Sequence, residues 1–314
     1  MKTTLKKTNA QSRHSINPAV SLYSRRANAA ACLFFGILTV LTFMPVLLVI
    51  VAAFSSESSV ALYGYRFLPR EWSLESFRYI FRAGSLLPRA FLNSLFITIA
   101  GTILALVVMC PFAYVLSRKE FTGRAALTIF IMLPMVFSGG LVSSYMINTQ
   151  VLHLRNTYLA LILPGLCSTW YIMMMRNYFI TSVPDSLIES AKLEGATPFQ
   201  ILTLIVVPIC KPVIMTVAVF QIFAYWNSWY PALLYIDTNH TELYPLQYVL
   251  VNIERTIHSM SNDAQYLSGM VNYTPPSITL RRARVVTAVL PIIILFPFFQ
   301  KFLKTGLTIG AVKE

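Results

Sequence analysis

The chain has 314 residues, 56% of them hydrophobic and 12% charged, with a net charge of +13 and a mean hydropathy of +0.63. Soluble domains carry about 25% charged residues, so the composition points to a bilayer. Nucleic-acid binding, another common meaning of a basic balance, is disfavoured because the cations bracket long uncharged runs instead of covering a soluble face.

Crossing hydrocarbon takes about 20 apolar residues. A basic tail, 1–28, leads into the first predicted transmembrane helix at 29–54, from Ala29 to Phe54. Its apolar run exceeds the roughly 7–15 residues of a signal-peptide core, so a retained helix is expected although Ala52-Ala53 resembles a cleavage site. An external segment, 55–89, supplies Tyr63, Tyr65, Trp72 and Phe77 for an interfacial cap. A core at 90–303 holds five further predicted helices: Ala90 to Ser117, Ala125 to Ile147, Thr157 to Met175, Pro212 to Ile236, and Val285 to Gln300. The last is short and needs Arg284 and Lys301 to snorkel to the interfaces. Residues 304–314 form a second tail.

The expected fold is therefore an all-α membrane protein with six transmembrane helices. Six spans place both termini on one side. Lys119, Lys192, Lys211, Lys301 and every other lysine fall on that side, which the positive-inside rule makes cytoplasmic. Several arginines, including Arg66, Arg70 and the Arg281-Arg282-Arg284 cluster, would lie outside, and a five-span arrangement would strand Lys301, Lys304 and Lys313 there. Leu246, Val249, Leu250, Ile253, Ile257 and Met260 recur at helical spacing and read either as an amphipathic helix on the outer surface or as one packed on the protein's own spans. Cys32, Cys110, Cys167 and Cys210 have no metal-ligand spacing and read as small hydrophobes.

Between the fourth and fifth spans, at 182–208, lies a charged, well-signalled element where a short loop would suffice. Ser182, followed three residues later by Asp185, predicts a helix start, and Gly195 predicts its end. Thr197-Pro198-Phe199-Gln200 predicts a restart with Thr as cap, Pro at the first helical position and Gln closing a capping box. Pro208 is expected to turn the chain into the fifth span. Two short helices with a Gly195-Ala196-Thr197 corner should then project from the membrane.

Glu189-Ser190-Ala191, three residues, Gly195, nine residues, Ile205, one residue and Val207-Pro208 resemble the EAA signature of ATP-binding-cassette (ABC) importer permeases, with Ser190 for Ala and Val207 for Leu as departures. The resemblance runs from about Ala90 onward. Asn93-Ser94-Leu95, Trp226-Asn227-Ser228-Trp229 and Pro297-Phe298-Phe299-Gln300-Lys301 are similar to the carbohydrate-uptake branch, and Pro134 to Gly140 to permeases for oligosaccharides or polysaccharide fragments. It implies a type I importer fold, a second permease subunit forming a heterodimer, two ATP-binding subunits carrying the ATP and magnesium, an extracytoplasmic sugar-binding protein, and a multi-pass place in the bacterial cytoplasmic membrane. No cofactor is expected on this chain itself. It also implies that Glu189, Ser190, Ala191, Glu194, Gly195, Ala196, Thr197 and Pro198 couple to an ATPase, with Glu189 meeting a basic residue and Gly195 fitting the corner to a surface groove.

Sugars are held by aromatic faces with amides and hydroxyls in otherwise apolar pockets. Trp226, Asn227 and Tyr230 at i, i+1, i+4, with Gln221, are the expected substrate-path residues, although interfacial belts and helix packing produce the same residue types. Ser138 joins them as a weaker candidate. Ser138-Gly139-Gly140 can unwind the third span beside a cavity or pack helices closely, and close packing is expected. No phosphate-binding loop, His-Glu-x-x-His motif or paired intramembrane carboxylates occur, which speaks against a self-sufficient pump, a membrane enzyme and an ion-coupled transporter. An accessory assembly subunit without a pore is a further alternative.

Overall fold

The long uncharged runs become helices because a bilayer leaves the backbone no other way to satisfy its polar groups. The computed structural model describes residues 25–80, 86–255 and, near the end, 285–287, 289, 291 and 293. Most of the sixth predicted span, the predicted tail at 304–314 and residues 1–24 of the predicted tail at 1–28 lie outside the described residues, whereas 25–28 already belong to the first helix. The backbone separates into two units, Met1–Val49 and Ile50–Glu314. In the first, helix α1 (Arg25–Ala53) is exposed on every side from Ala27 to Leu47, as suits a segment surrounded by lipid or other helices.

In the second unit, α2 (Glu57–Tyr63) and α3 (Glu75–Ile80) follow α1, joined by an isolated antiparallel bridge between Ser55 and Trp72. Helix α4 (Leu86–Ser117) is the axis of the bundle. Next come α5 (Arg124–Val136), α6 (Gly140–Met146), α7 (Tyr158–Ile162) and α8 (Thr169–Ser182). The chain continues with α9 (Asp185–Leu193), α10 (Pro198–Ile209, with a wide π-type coil at Ile201–Val206), α11 (Lys211–Trp226) and α12 (Tyr230–Tyr235). Among the described residues, two helices are long and apolar enough to cross a membrane, or five if each of three bent pairs is one span. Phe179, Met109, Leu116 and Met175 are fully buried where α4 meets α8.

The spans are less straight than their hydropathy implies. The third breaks between α5 and α6, which meet at 118°. Ser138 and Gly139 are exposed, and a methyl added at Gly140 would meet nothing within 4 Å. Close packing of these small residues is therefore overturned: Gly140 has φ +78°, a conformation a glycine supplies without strain, and its N–H donates to Ser138 Oγ at 3.3 Å. The fourth span also breaks, at 50°, after a single 3₁₀ turn at Leu163–Gly165. The fifth is not continuous to Ile236, because α11 ends at Trp226 and α12 starts at Tyr230. The segment at 246–255 is helical, with Leu246 and Val249 buried in the main core, so it packs on the protein's own spans.

Hydrogen bonds fix the two ends of the bundle. At one end Asn93 Nδ2 donates to the carbonyls of Glu242 (2.6 Å) and Tyr244 (3.1 Å), and Tyr158 donates to Asn93 Oδ1 (3.0 Å). The Leu246 N–H donates to Ser94 Oγ at 2.7 Å. Nearby, Asn156 and Arg155 bond the Asp237 carboxylate, and the two contacts together hold that carboxyl below the usual carboxylate range. At the opposite end, Arg176 donates to the Leu116 carbonyl where α4 finishes.

Candidate functional site

The projecting elbow forms at this second end. Helix α9 starts at Asp185 behind Pro184, not at a Ser182 cap. Ser182 is spent as the last residue of α8, whose closing N–H, from Val183, bonds back to Phe179. One face of α9, through Ile188 and Ala191, is buried against the bundle, while Glu189, Ser190 and Glu194 are exposed.

The corner follows its predicted chemistry. The Ala196 N–H bonds the Ala191 carbonyl and the Gly195 N–H the Lys192 carbonyl, both at 3.0 Å. This is the paired Schellman closure that calls for a left-handed residue, and Gly195 has φ +85°. Thr197 then caps α10: its hydroxyl accepts from the Gln200 N–H at 3.3 Å, and its own N–H donates to Gln200 Oε1 at 2.8 Å. Such a cap contributes about 1 kcal/mol. The chain turns 83° into α11 at Cys210, two residues beyond Pro208. Pro208 lies inside α10, next to the wide coil at Ile201–Val206, so a missing N–H there does not end the helix.

A clasp that sequence reasoning missed holds the elbow. The turn after α4 places Lys119 Nζ 3.1 Å from Asp185 Oδ2 and Arg118 3.9 Å from Asp185 Oδ1, and Glu120 pairs with Lys192. Opposite charges about two helical turns apart on α9 thus face opposite charges on adjacent residues of the turn. The signal was the sign order Arg118-Lys119-Glu120 against Asp185 and Lys192, which nothing in sequence distance links. Apart from Arg118, whose side chain is 12% exposed, these groups are well exposed to solvent, so each of the two lysine pairs is worth about 0–1 kcal/mol. Glu120→Lys and Lys192→Glu, taken singly, should speed amide exchange across 185–195 by about two- to fivefold, and the double swap should restore it. Equal exchange in all three proteins would remove the clasp.

The elbow also exposes large apolar side chains. Leu193 is 90%, Phe199 71% and Leu204 72% exposed. Isolated exposed apolar residues need no explanation, but here three large ones share one capped, charged element.

The expected substrate-path residues separate. Gln221 is buried and donates to the Gly165 carbonyl at 2.6 Å. Trp226 is buried and meets Phe91 edge-on, ring centres 5.8 Å apart. The side chains of both face the protein's own interior. Asn227 terminates α11 and is exposed, its amide donating to the Phe223 carbonyl at 2.9 Å. Tyr230 begins α12 and is 43% exposed, so the expected single stripe is divided by a turn. Ser138 is exposed in the break of the third span, beside a recess of about 560 Å³ lined by Phe112, Phe130, Pro134, Phe137 and Thr169.

The fold is thus a helical bundle with broken spans and a capped elbow between Thr169–Ser182 and Lys211–Trp226. No family model matches the chain. Protein LplC of Bacillus subtilis is 34% identical over 283 residues, 90% of this chain and 92% of its own. The polygalacturonan/rhamnogalacturonan transport system permease protein YtcP of the same species is 32% identical over 281 residues, 90% of this chain and 95% of its own. The crystal structure of a bacterial ABC transporter involved in import of the acidic polysaccharide alginate contains a chain matching with TM-score 0.75 at 25% identity, covering 89% of this chain and 98% of that one. The protein belongs to the sugar-transport permease subunits of ABC importers, which are transport proteins and not enzymes.

Proposed function

We propose that this permease imports an oligosaccharide, pairing with a second, different permease and taking its energy from two ATP-binding subunits that hold the ATP and magnesium. An extracytoplasmic sugar-binding protein delivers the substrate. Six spans place both termini and the elbow in the cytoplasm, in a bacterial cytoplasmic membrane. Relatives named for polygalacturonan, arabinooligosaccharides and alginate favour an extended saccharide over a monosaccharide.

The observation that carries this reading is the elbow: apolar Leu193, Phe199 and Leu204 exposed beside Glu189 and Glu194, on a corner closed at both sides. In aqueous solution such a face gains by association with a protein surface that brings a basic partner for Glu189. Glu189, Ser190, Glu194, Gly195, Ala196, Thr197 and Pro198 form the docking edge, with Ala191 anchoring it to the bundle. Asn227, Tyr230 and Ser138 are the residues left for the sugar path. Glu189→Lys places like charges together and should weaken capture of the ATP-binding subunit by about 2 kcal/mol, roughly thirtyfold. Co-purification of that subunit at the wild-type ratio would break the assignment.

A further inference from the structure

The break in the fourth span interrupts its run of helical hydrogen bonds, and carbonyls at such a break are costly to leave unsatisfied inside a bilayer. One neighbouring helix takes two of them. On α11 the Tyr225 hydroxyl donates to the Ile162 carbonyl at 2.9 Å, and Gln221, one turn earlier, donates to the Gly165 carbonyl at 2.6 Å. Both side chains are almost fully buried, at 4% and 2% exposure.

The ring of Tyr225 also fills a gap that only glycine leaves open. A methyl on Gly101 of α4 would stand 2.7 Å from Tyr225 Cε2, and one on Gly165 3.1 Å from Tyr225 Cε1. On the α4 side the contact is apolar: Thr98 and Thr102, flanking Gly101, are buried with hydroxyls that find no partner. Hydrogen bonds therefore tie α11 to the fourth span, whereas α4 only bears against the ring.

We infer that Gln221 and Tyr225 are positioning residues that lock the broken fourth span to α11, so that the two spans flanking the elbow move as one body. The elbow is the chain between them: α8 runs into α9, and α10 turns into α11. A push on the elbow acts on both spans at once. The lock lies ten and fourteen residues beyond Lys211, about 15 to 21 Å along the helix. At the far end a separate set joins Tyr158 of the fourth span to Asn93 of α4, which in turn bonds the carbonyls of Glu242 and Tyr244. Without the lock, displacement of the elbow would be lost as sliding of one span past the other. This deepens the coupling reading above and rests on it.

The test uses the full transporter with spin labels at Leu159 on α7 and Lys211 at the start of α11, both exposed positions. Distances are measured without nucleotide and after trapping with ATP and vanadate. The wild-type pair is expected to keep one narrow distance in both states. Tyr225→Phe keeps the ring and loses the hydroxyl, and Gln221→Leu keeps the bulk and loses the amide; each should shift or broaden that distance by about 2 Å or more, the scale of a helix slide. A wild-type distance that changes on trapping, or variants that hold the same narrow distance, would overturn the lock. The nucleotide-free comparison of wild type with variants stands whether or not an ATPase engages the elbow. Failure to trap vanadate in an assembled wild-type complex strikes the coupling reading alone.

Discussion

Gly195→Asp is expected to leave the permease folded and inserted while uptake falls by about a hundredfold. A side chain at this corner meets open space, since an added Cβ finds nothing within 4 Å. The remaining local cost is conformational, because φ is +85°. Aspartate tolerates left-handed backbone better than most residues, so the strain is below the roughly 1–2 kcal/mol of an ordinary side chain. The damage must come from the docked partner: a carboxylate joins Glu189 and Glu194 on the same projection, and a buried, unpaired charge there costs about 2–5 kcal/mol. Alanine separates the two causes. If backbone strain dominates, Gly195→Ala is at least as harmful as Gly195→Asp; if docking dominates, aspartate is far worse. Uptake and ATP hydrolysis by reconstituted complexes decide it, and normal uptake by Gly195→Asp would remove the elbow from the coupling path.

What could be read in the sequence was chemistry confined to a few neighbouring residues. The capping box of Thr197 and Gln200 and the left-handed Gly195 are local, and the structure forms both. Ser182 misled because a serine at a helix–helix junction serves the end of one helix as readily as the start of the next. Here Pro184, at φ −59° and ψ 139°, leaves one residue of turn and starts α9 itself. Hydropathy placed the spans but not their breaks, since an uncharged run reads the same whether straight or bent by 118°. Ser138-Gly139-Gly140 showed the same ambiguity: small residues permit both close packing and unwinding, and only the neighbours decide. The partner of Gln221 lies 56 residues away, so its residue type suggested sugar contact while its side chain bonds the carbonyl of Gly165.

Trp226 carries that distinction to a measurement. Trp226→Ala is expected to destabilise the permease by about 3–5 kcal/mol, the range for an aromatic removed from a packed core. Its ring is 4% exposed and stands edge-on to Phe91, a geometry that adds about 0.5–1.5 kcal/mol beyond packing. In a bilayer the loss is one of close contacts more than of water exclusion, because lipid chains are as apolar as the site. The amount of folded protein, and its melting temperature in detergent, should therefore drop, with uptake falling in proportion and uptake per folded molecule unchanged. Asn227→Ala, at an exposed helix end, should show the opposite split: near-normal abundance with reduced uptake per molecule. Trp226→Ala at wild-type abundance with altered sugar preference would return that ring to the path and show that the bundle opens there during transport.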